Sequence, residues 1–187
     1  MQVPLFPLNT VLFPGGPLPL RIFEPRYLDM ISRCMKEDSP FGVLLIKDGG
    51  ETGPATTREV GTLAKVVDWY QGSDGILGIT AVGTDRFRLQ SAAQQADGLY
   101  VGNVEIIPPP PAAKVPAEFS NLPHILETVI NDLGRLYEHL ERRLDDATWV
   151  AWRFVEILPV DVDEKQSALE SDDINSCLHM IEQVLHS

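Results

Sequence analysis

Pro4-Leu5-Phe6-Pro7-Leu8, followed after a turn by Phe13-Pro14-Gly15-Gly16-Pro17-Leu18-Pro19-Leu20, alternates short apolar runs with proline stops. Val3 to Leu8 is too short and too proline-flanked for a helix, and Pro7 lacks a backbone donor, which a sheet tolerates mainly at an edge or bulge. The pattern predicts an edge strand. Asn9-Thr10 and Phe13 to Pro17 are turn chemistry, because proline fixes φ and glycine admits positive φ. Leu18 to Phe23 is then a second strand, and the alternation builds a binding surface rather than a catalytic centre.

Glu24-Pro25 opens a helix with proline at its first position, where the missing N–H costs nothing. Leu28, Ile31 and Met35 recur at helical spacing until Asp38-Ser39-Pro40 ends the run. Phe41 to Lys47 reads as a strand, and Asp48 to Thr57, rich in glycine, as a polar loop. Glu59 to Gln71 and Gly75 to Gln90 are longer β stretches joined by Gly72-Ser73-Asp74-Gly75, a hairpin signal. Leu99 to Ile107 is the last strand before Pro108-Pro109-Pro110-Pro111 stops regular pairing and acts as a semi-rigid connector.

Beyond Pro116 the hydrophobic period changes. Leu122, Leu126, Val129, Leu133, Leu136 and Leu140 lie three or four residues apart and predict one long helix, with Gly134 marking a bend or a close approach. Trp149, Trp152 and Val155 mark a second helix stopped at Leu158-Pro159. Asp161 with Glu164 has capping-box spacing, and Ser171 or Asp172 caps a final helix carrying Ile174, Leu178, Ile181 and Leu185. The expected organisation is α+β: a β-rich part over 1–107, a proline-rich linker over 108–116 and a helical bundle over 117–187.

The chain has 187 residues, 44% of them apolar, with a formal net charge of −12. That charge is uneven: residues 1–104 hold 9 basic and 11 acidic side chains, and residues 105–187 hold 6 and 16. A field of this sign repels phosphate backbones and argues against nucleic acid as a partner. The longest apolar run, Val43 to Ile46, is far below the roughly 20 residues of a membrane helix. No signal segment opens the chain, so no membrane association is expected and the default location is cytoplasmic. Cys34 and Cys177 lie far apart without metal-ligand spacing and predict neither a zinc site nor a disulfide framework. No cofactor is indicated.

The opening Pro-Leu-Phe-Pro-Leu strand, the Phe-Pro-Gly loop and the Leu-Pro-Leu strand resemble the start of the Lon protease amino-terminal domain. The likeness continues through Phe23-Glu24-Pro25-Arg26-Tyr27, Val60-Gly61-Thr62-Leu63-Ala64-Lys65-Val66 and Val82-Gly83-Thr84-Asp85-Arg86-Phe87-Arg88, and reaches Val155 to Pro159 and Glu164-Lys165-Gln166. The resemblance implies a PUA-like pseudo-barrel of six strands followed by a helical bundle, and a role in substrate selection. Full-length Lon proteases also carry an ATPase module and a Ser-Lys peptidase. No G-x-x-x-x-G-K-[ST] sequence occurs before the chain ends at Ser187, so a stand-alone, non-enzymatic member is expected.

The four histidines, at 124, 139, 179 and 186, all fall in the acidic half and offer no base for a nucleophile in the β part. Asp161, Asp163 and Glu164 carry oxygens for a hard cation but lack a calcium-loop register, and helix capping explains them. Arg21, Arg26, Arg86 and Arg88 form the one arginine grouping of the β part. They fit either a carboxylate ligand or internal salt bridges to Glu24 and Asp85. Phe13, Phe23, Tyr27, Trp69 and Tyr70 are the aromatics that could line a groove, with core packing the alternative for each. Phe13 stands out because it sits in a proline-glycine loop, and loops run over surfaces. The candidate binding residues are therefore Phe13, Arg21, Phe23, Tyr27, Trp69, Tyr70, Arg86 and Arg88. The expected partner is unfolded or damaged polypeptide, or one specific protein, captured by strand addition at the first strand and by apolar loop contacts. RNA binding on the PUA-like analogy, and a small-molecule or hydrolytic site in the barrel cleft, are the rival classes.

Overall fold

A computed structural model describes residues 1–187. In chain order the elements are β1 (Gln2–Leu8), β2 (Pro17–Ile22), α1 (Pro25–Glu37), β3 (Phe41–Gly49), β4 (Ala55–Thr57), β5 (Val60–Gln71), β6 (Leu77–Gln94), β7 (Tyr100–Ile107), α2 (Leu122–Leu133), α3 (Ala147–Ile157), α4 (Val162–Glu170) and α5 (Ile174–Leu185). The architecture is mixed α and β: one mostly antiparallel sheet and five helices. Pairing runs β1-β7-β6-β5-β3, and β3 returns to β1 in parallel, so the strands close into a ring. β2 joins this ring on β6 and β4 joins it on β3. There are seven strands rather than six because Ala55–Thr57, expected within a loop, pairs with the extended end of β3.

β1 is not an edge strand. Gln2 to Leu5 pair with β7, and Leu5 to Leu8 pair with β3, so the strand changes partner at Leu5. Val104 donates to the Met1 carbonyl at 2.8 Å, and by alternation Val3 and Leu5 face β7. Pro4 then points its missing donor toward the β3 side before that pairing begins, and Pro7 toward the β7 side after that pairing has ended. Both prolines are tolerated within a paired strand for this reason. The two faces of β1 are also both buried: Val3 and Leu5 join a cluster with Leu44, Leu63, Phe87 and Val104, while Phe6 and Leu8 pack with Tyr27, Ile31, Phe41 and Leu99.

Helix α1 starts at Pro25 and stops at Asp38, which adopts φ 51° and donates its N–H to the Cys34 carbonyl. The leucine-rich stretch after Pro116 is not one long helix. α2 ends at Leu133, Gly134 takes φ +56°, and a 3-10 turn follows over Gly134–Tyr137. A glycine at positive φ closes a helix by satisfying its last carbonyls, which overrides the stripe. Leu126 and Ile130 enter the core, whereas Leu133 and Leu136 are left exposed. The cap of α5 is Asp173, one residue beyond the expected positions, and it accepts from Ser176 N–H at 3.1 Å.

The largest buried cluster takes Val11, Phe13, Leu45 and Val60 from the strand part and Leu126, Trp149, Trp152, Phe154, Leu169 and Ile181 from the helices. Polar bonds cross the same junction: Gln166 Nε2 donates to Val60 O at 2.9 Å and Arg153 Nη2 to Pro14 O at 2.8 Å. The proline-rich stretch is pinned rather than extended as a spacer, since Ala147 N–H donates to Ala113 O at 2.9 Å.

Candidate functional site

Three of the eight candidate residues, Phe13, Tyr27 and Arg86, are buried, and two of them, Phe13 and Arg86, lie at the junction with the helices. Phe13 is fully buried, 6.2 Å from the Trp152 ring, because the Phe13-to-Pro17 turn is tucked between the strand ring and α3 instead of crossing the surface. The Phe13 surface expectation is thereby corrected. Arg86 is 2% exposed; its guanidinium donates to Leu169 O at 3.0 Å, Pro108 O at 3.1 Å and Asp172 at 2.7 Å, and lies over the Trp152 ring. Its partner is Asp172, not the expected Asp85. A buried guanidinium needs such a full set of acceptors, and the helical half supplies them.

Arg88, two residues along β6, is exposed and makes no ion pair, so the expected arginine grouping does not converge. Arg26 is held by Gly98 O at 2.7 Å and by Glu24 at 3.3 Å, and it lies over the Tyr27 ring. Arg21 pairs with Asp74 at the β5-β6 turn. That turn is fixed when Ile76 N–H donates to Asp74 Oδ1 at 3.0 Å; this bond, with the Arg21 charge, draws the Asp74 carboxyl below its ordinary range.

Trp69 and Tyr70 are exposed near the tip of the β5-β6 hairpin. In register, Arg21, Gly78 and Tyr70 form one row across β2, β6 and β5, and the Tyr70 ring lies where a Cβ of residue 78 would stand. This ring covers a glycine in the middle strand, and a side chain at that position would displace it.

Arg21, Phe23 and Tyr27 are brought together. They line a groove of about 420 Å³ along the outer edge of β2, whose floor and walls include Phe6, Leu8, Leu18, Leu20 and Ile22. Tyr27 forms part of the floor, stacked on Phe6 with ring centroids 4.0 Å apart, and burial pushes its phenol up to about 12. Phe23 stands on the rim, 60% exposed. Glu51 and Thr52 close the far wall, and Glu51 Oε1 accepts from Asn9 N–H at 2.9 Å. The contributions of Leu8, Leu20 and Glu51 have no signal in sequence spacing, because they depend on which strand ends the ladder.

β2 is paired on one side only. Gly83 N–H donates to Gly16 O at 2.9 Å, so alternation turns Leu18, Leu20 and Ile22 toward β6 and leaves Pro17, Pro19 and Arg21 on the open edge. That edge offers three carbonyl acceptors but, up to Arg21, a single N–H. Edge prolines hinder pairing with another sheet while the groove beside them stays accessible. The arrangement suits side-chain capture of an extended segment with a partial ladder. No hydrogen bond joins a histidine to a serine or cysteine; His139 instead lies 3.6 Å from Asp68 and His179 meets the Phe119 ring edge-on. No group of three His, Cys, Asp or Glu side chains is placed to hold a metal ion, and no helix is long and apolar enough to cross a membrane.

A family model described as the ATP-dependent protease La (LON) substrate-binding domain matches residues 2–187. The chain belongs to this family. The crystal structure of a Lon N-terminal domain protein from Xanthomonas campestris is similar to this LON domain with a TM-score of 0.79 and 35% identity, covering 98% of each chain. The N-terminal domain of a Mycobacterium avium complex Lon protease shares the fold at a TM-score of 0.68 and 14% identity, covering 100% of this chain and 99% of that one. Lon protease 2 of Myxococcus xanthus is 26% identical over an aligned length of 192, gaps included, which covers 98% of this chain and 23% of that protein. Cereblon of Danio rerio is 34% identical over 111 residues, 57% of this chain and 26% of cereblon. The LON domain thus spans about a quarter of the length of the curated relatives it matches.

Proposed function

We propose that this LON domain is a non-catalytic polypeptide-binding module and that the groove along β2 holds an extended, apolar segment of its partner. The observation that carries the reading is the coincidence of an unpaired strand edge with an apolar groove that gathers Arg21, Phe23 and Tyr27. Burying a partner's side chains against Leu20 and Phe23 supplies affinity, and the carbonyls of Pro17, Pro19 and Arg21 fix its direction. The partners are unfolded or damaged polypeptides or one specific protein, and the setting is protein quality control in the cytoplasm. The family's description as a substrate-binding domain supports this.

The test is a titration of the protein into a fluorescently labelled, permanently unfolded polypeptide, read by anisotropy. Phe23→Ala should weaken binding by about tenfold, as an exposed aromatic anchor does when truncated. Trp69→Ala, across β6 from the groove, should leave affinity unchanged. Equal affinities for the parent protein and Phe23→Ala would remove the groove from the account.

A further inference from the structure

A second, larger cavity of about 630 Å³ opens where the strand ring, the proline-rich stretch and α3 meet. Its volume is that of a small-molecule site. Trp149 and Trp152 form its apolar side together with Pro109 and Pro110, and Asp85, Glu141 and Asp146 stand around it.

The bulge in β6 explains how Asp85 comes to be there. Thr62 to Ala64 of β5 oppose Arg86 to Gly83 of β6, so β6 carries one extra residue at Thr84-Asp85. Such a bulge turns side chains out of the regular alternation. Thr84 and Asp85 both line the cavity, and Asp85 has no ion-pair partner.

The charges around the cavity do not cancel. Arg143 is 3.6 Å from Glu141, and His139 lies between Asp68 and Glu138. Asp146 accepts from Thr148 N–H at 3.1 Å and has no cationic partner. The indoles already hold guanidinium groups: Arg153 over Trp149 and Arg86 over Trp152, each at 5.3 Å. These two cations are neutralised by Glu156 and Asp172, so they do not offset the carboxylates of the cavity. Thr148 also lines the cavity, is 8% exposed, and its Oγ1 has no hydrogen-bond partner.

We infer that this cavity binds an organic cation with an apolar stem, an alkylammonium or alkylguanidinium group. The stem lies against the indoles and prolines, and the charged head meets Asp85 and the neighbouring carboxylates. An apolar wall beside carboxylates without a cationic partner, Asp85 and Asp146, favours this chemistry over anions or neutral groups. The inference is independent of the β2 groove.

The test uses tryptophan emission in a Trp69→Phe background, which leaves Trp149 and Trp152 as reporters. Spermidine, N-acetylarginine amide and a neutral alcohol of similar length are titrated at matched ionic strength. The cations should give saturable changes and the alcohol none. Asp85→Asn should weaken cation binding by about tenfold, as loss of a charge-assisted hydrogen bond does. Asp29→Asn, on exposed α1 surface, should not alter it. Glu141→Gln gives a second reading from another wall should Asp85→Asn fail to fold. Tighter binding of spermidine identifies a free polyamine as the source of the cation, and tighter binding of the arginine derivative identifies a side chain. No saturable change with either cation, or equal responses in the parent, Asp85→Asn and Glu141→Gln proteins, would overturn the inference.

Discussion

Arg153 and Glu156, one turn apart on α3, form a buried ion pair with Nε and Oε2 3.0 Å apart, directly beneath the Gly15-Gly16 turn. Tyr137 Oη donates to the same carboxylate at 2.8 Å, and Lys165 Nζ donates to the Glu156 carbonyl at 2.9 Å. Burial pushes the Glu156 carboxyl up against the pull of Arg153, and burial pushes the Lys165 ammonium down. The network ties the β1-β2 turn to the 3-10 turn after α2 and to α4.

Breaking one side of this pair leaves a buried charge. Arg153→Met should lower stability by about 3–5 kcal/mol, whereas the double variant Arg153→Met/Glu156→Gln should lose clearly less. Urea unfolding of the two variants measures the difference. Equal losses would show that shape, not charge, is what α3 requires here.

The turn above the pair has no room for a side chain. A Cβ on Gly16 would lie 2.2 Å from Glu156 Oε1 and 3.0 Å from Arg153 Nη2. Gly16→Ala should therefore destabilise by about 1–3 kcal/mol. Gly50→Ala, where nothing lies within 4 Å of the added carbon, is the control and should be close to neutral by the same urea assay.

Phe13 is a keystone of the junction, and its truncation tests that directly. Phe13→Ala should cost about 3–5 kcal/mol, the range for emptying a fully buried aromatic site. A loss below about 1 kcal/mol in thermal or urea unfolding would return Phe13 to the surface.

Alkaline pH should loosen the fold in a defined direction. The Tyr27 phenol holds its proton to about 12 in the folded chain, against an ordinary 10, because burial disfavours the phenolate. Below pH 10 both states are protonated; as pH rises from 10 toward 12 the unfolded chain releases this proton first, and folding stability falls. Cys177, pushed from 9 up to about 12 by burial, acts with the same sign from pH 9 upward. Tyr27→Phe should show a shallower loss of thermal stability between pH 10 and 12 than the parent protein.

Local chemistry made most elements legible. Proline at a helix start, a Gly-Ser-Asp-Gly turn and period-two alternation place α1, the β5-β6 hairpin and every strand except β4 within a few residues of where they lie. What these signals lack is partnership. Pro7 indicates only that one donor is missing, and β1 meets that condition by changing partners at Leu5 rather than by lying at an edge. The open edges are β2, which pairs with β6 alone, and the short β4, which pairs with β3 alone. Phe13 departs from its surface expectation for a related reason: a proline-glycine turn is a surface feature until a second layer of structure covers it, and α3 comes more than a hundred residues later. Arg21, Phe23 and Tyr27, on or close in sequence to β2, are the groove residues that local sequence signals reach. Glu51 and Leu8 arrive at the groove through tertiary pairing, and Gly134 shows how one positive-φ residue ends a helix that the leucine spacing alone would continue.

Backbone hydrogen exchange, with and without a permanently unfolded polypeptide and at low and high salt, tests the binding claim most directly. The account predicts slower exchange at Arg21 and Phe23 and in the Glu51-Thr52 wall, persisting at high salt because apolar burial carries the affinity. Bound polypeptide with unchanged exchange in these segments, or protection that disappears at high salt, would contradict it.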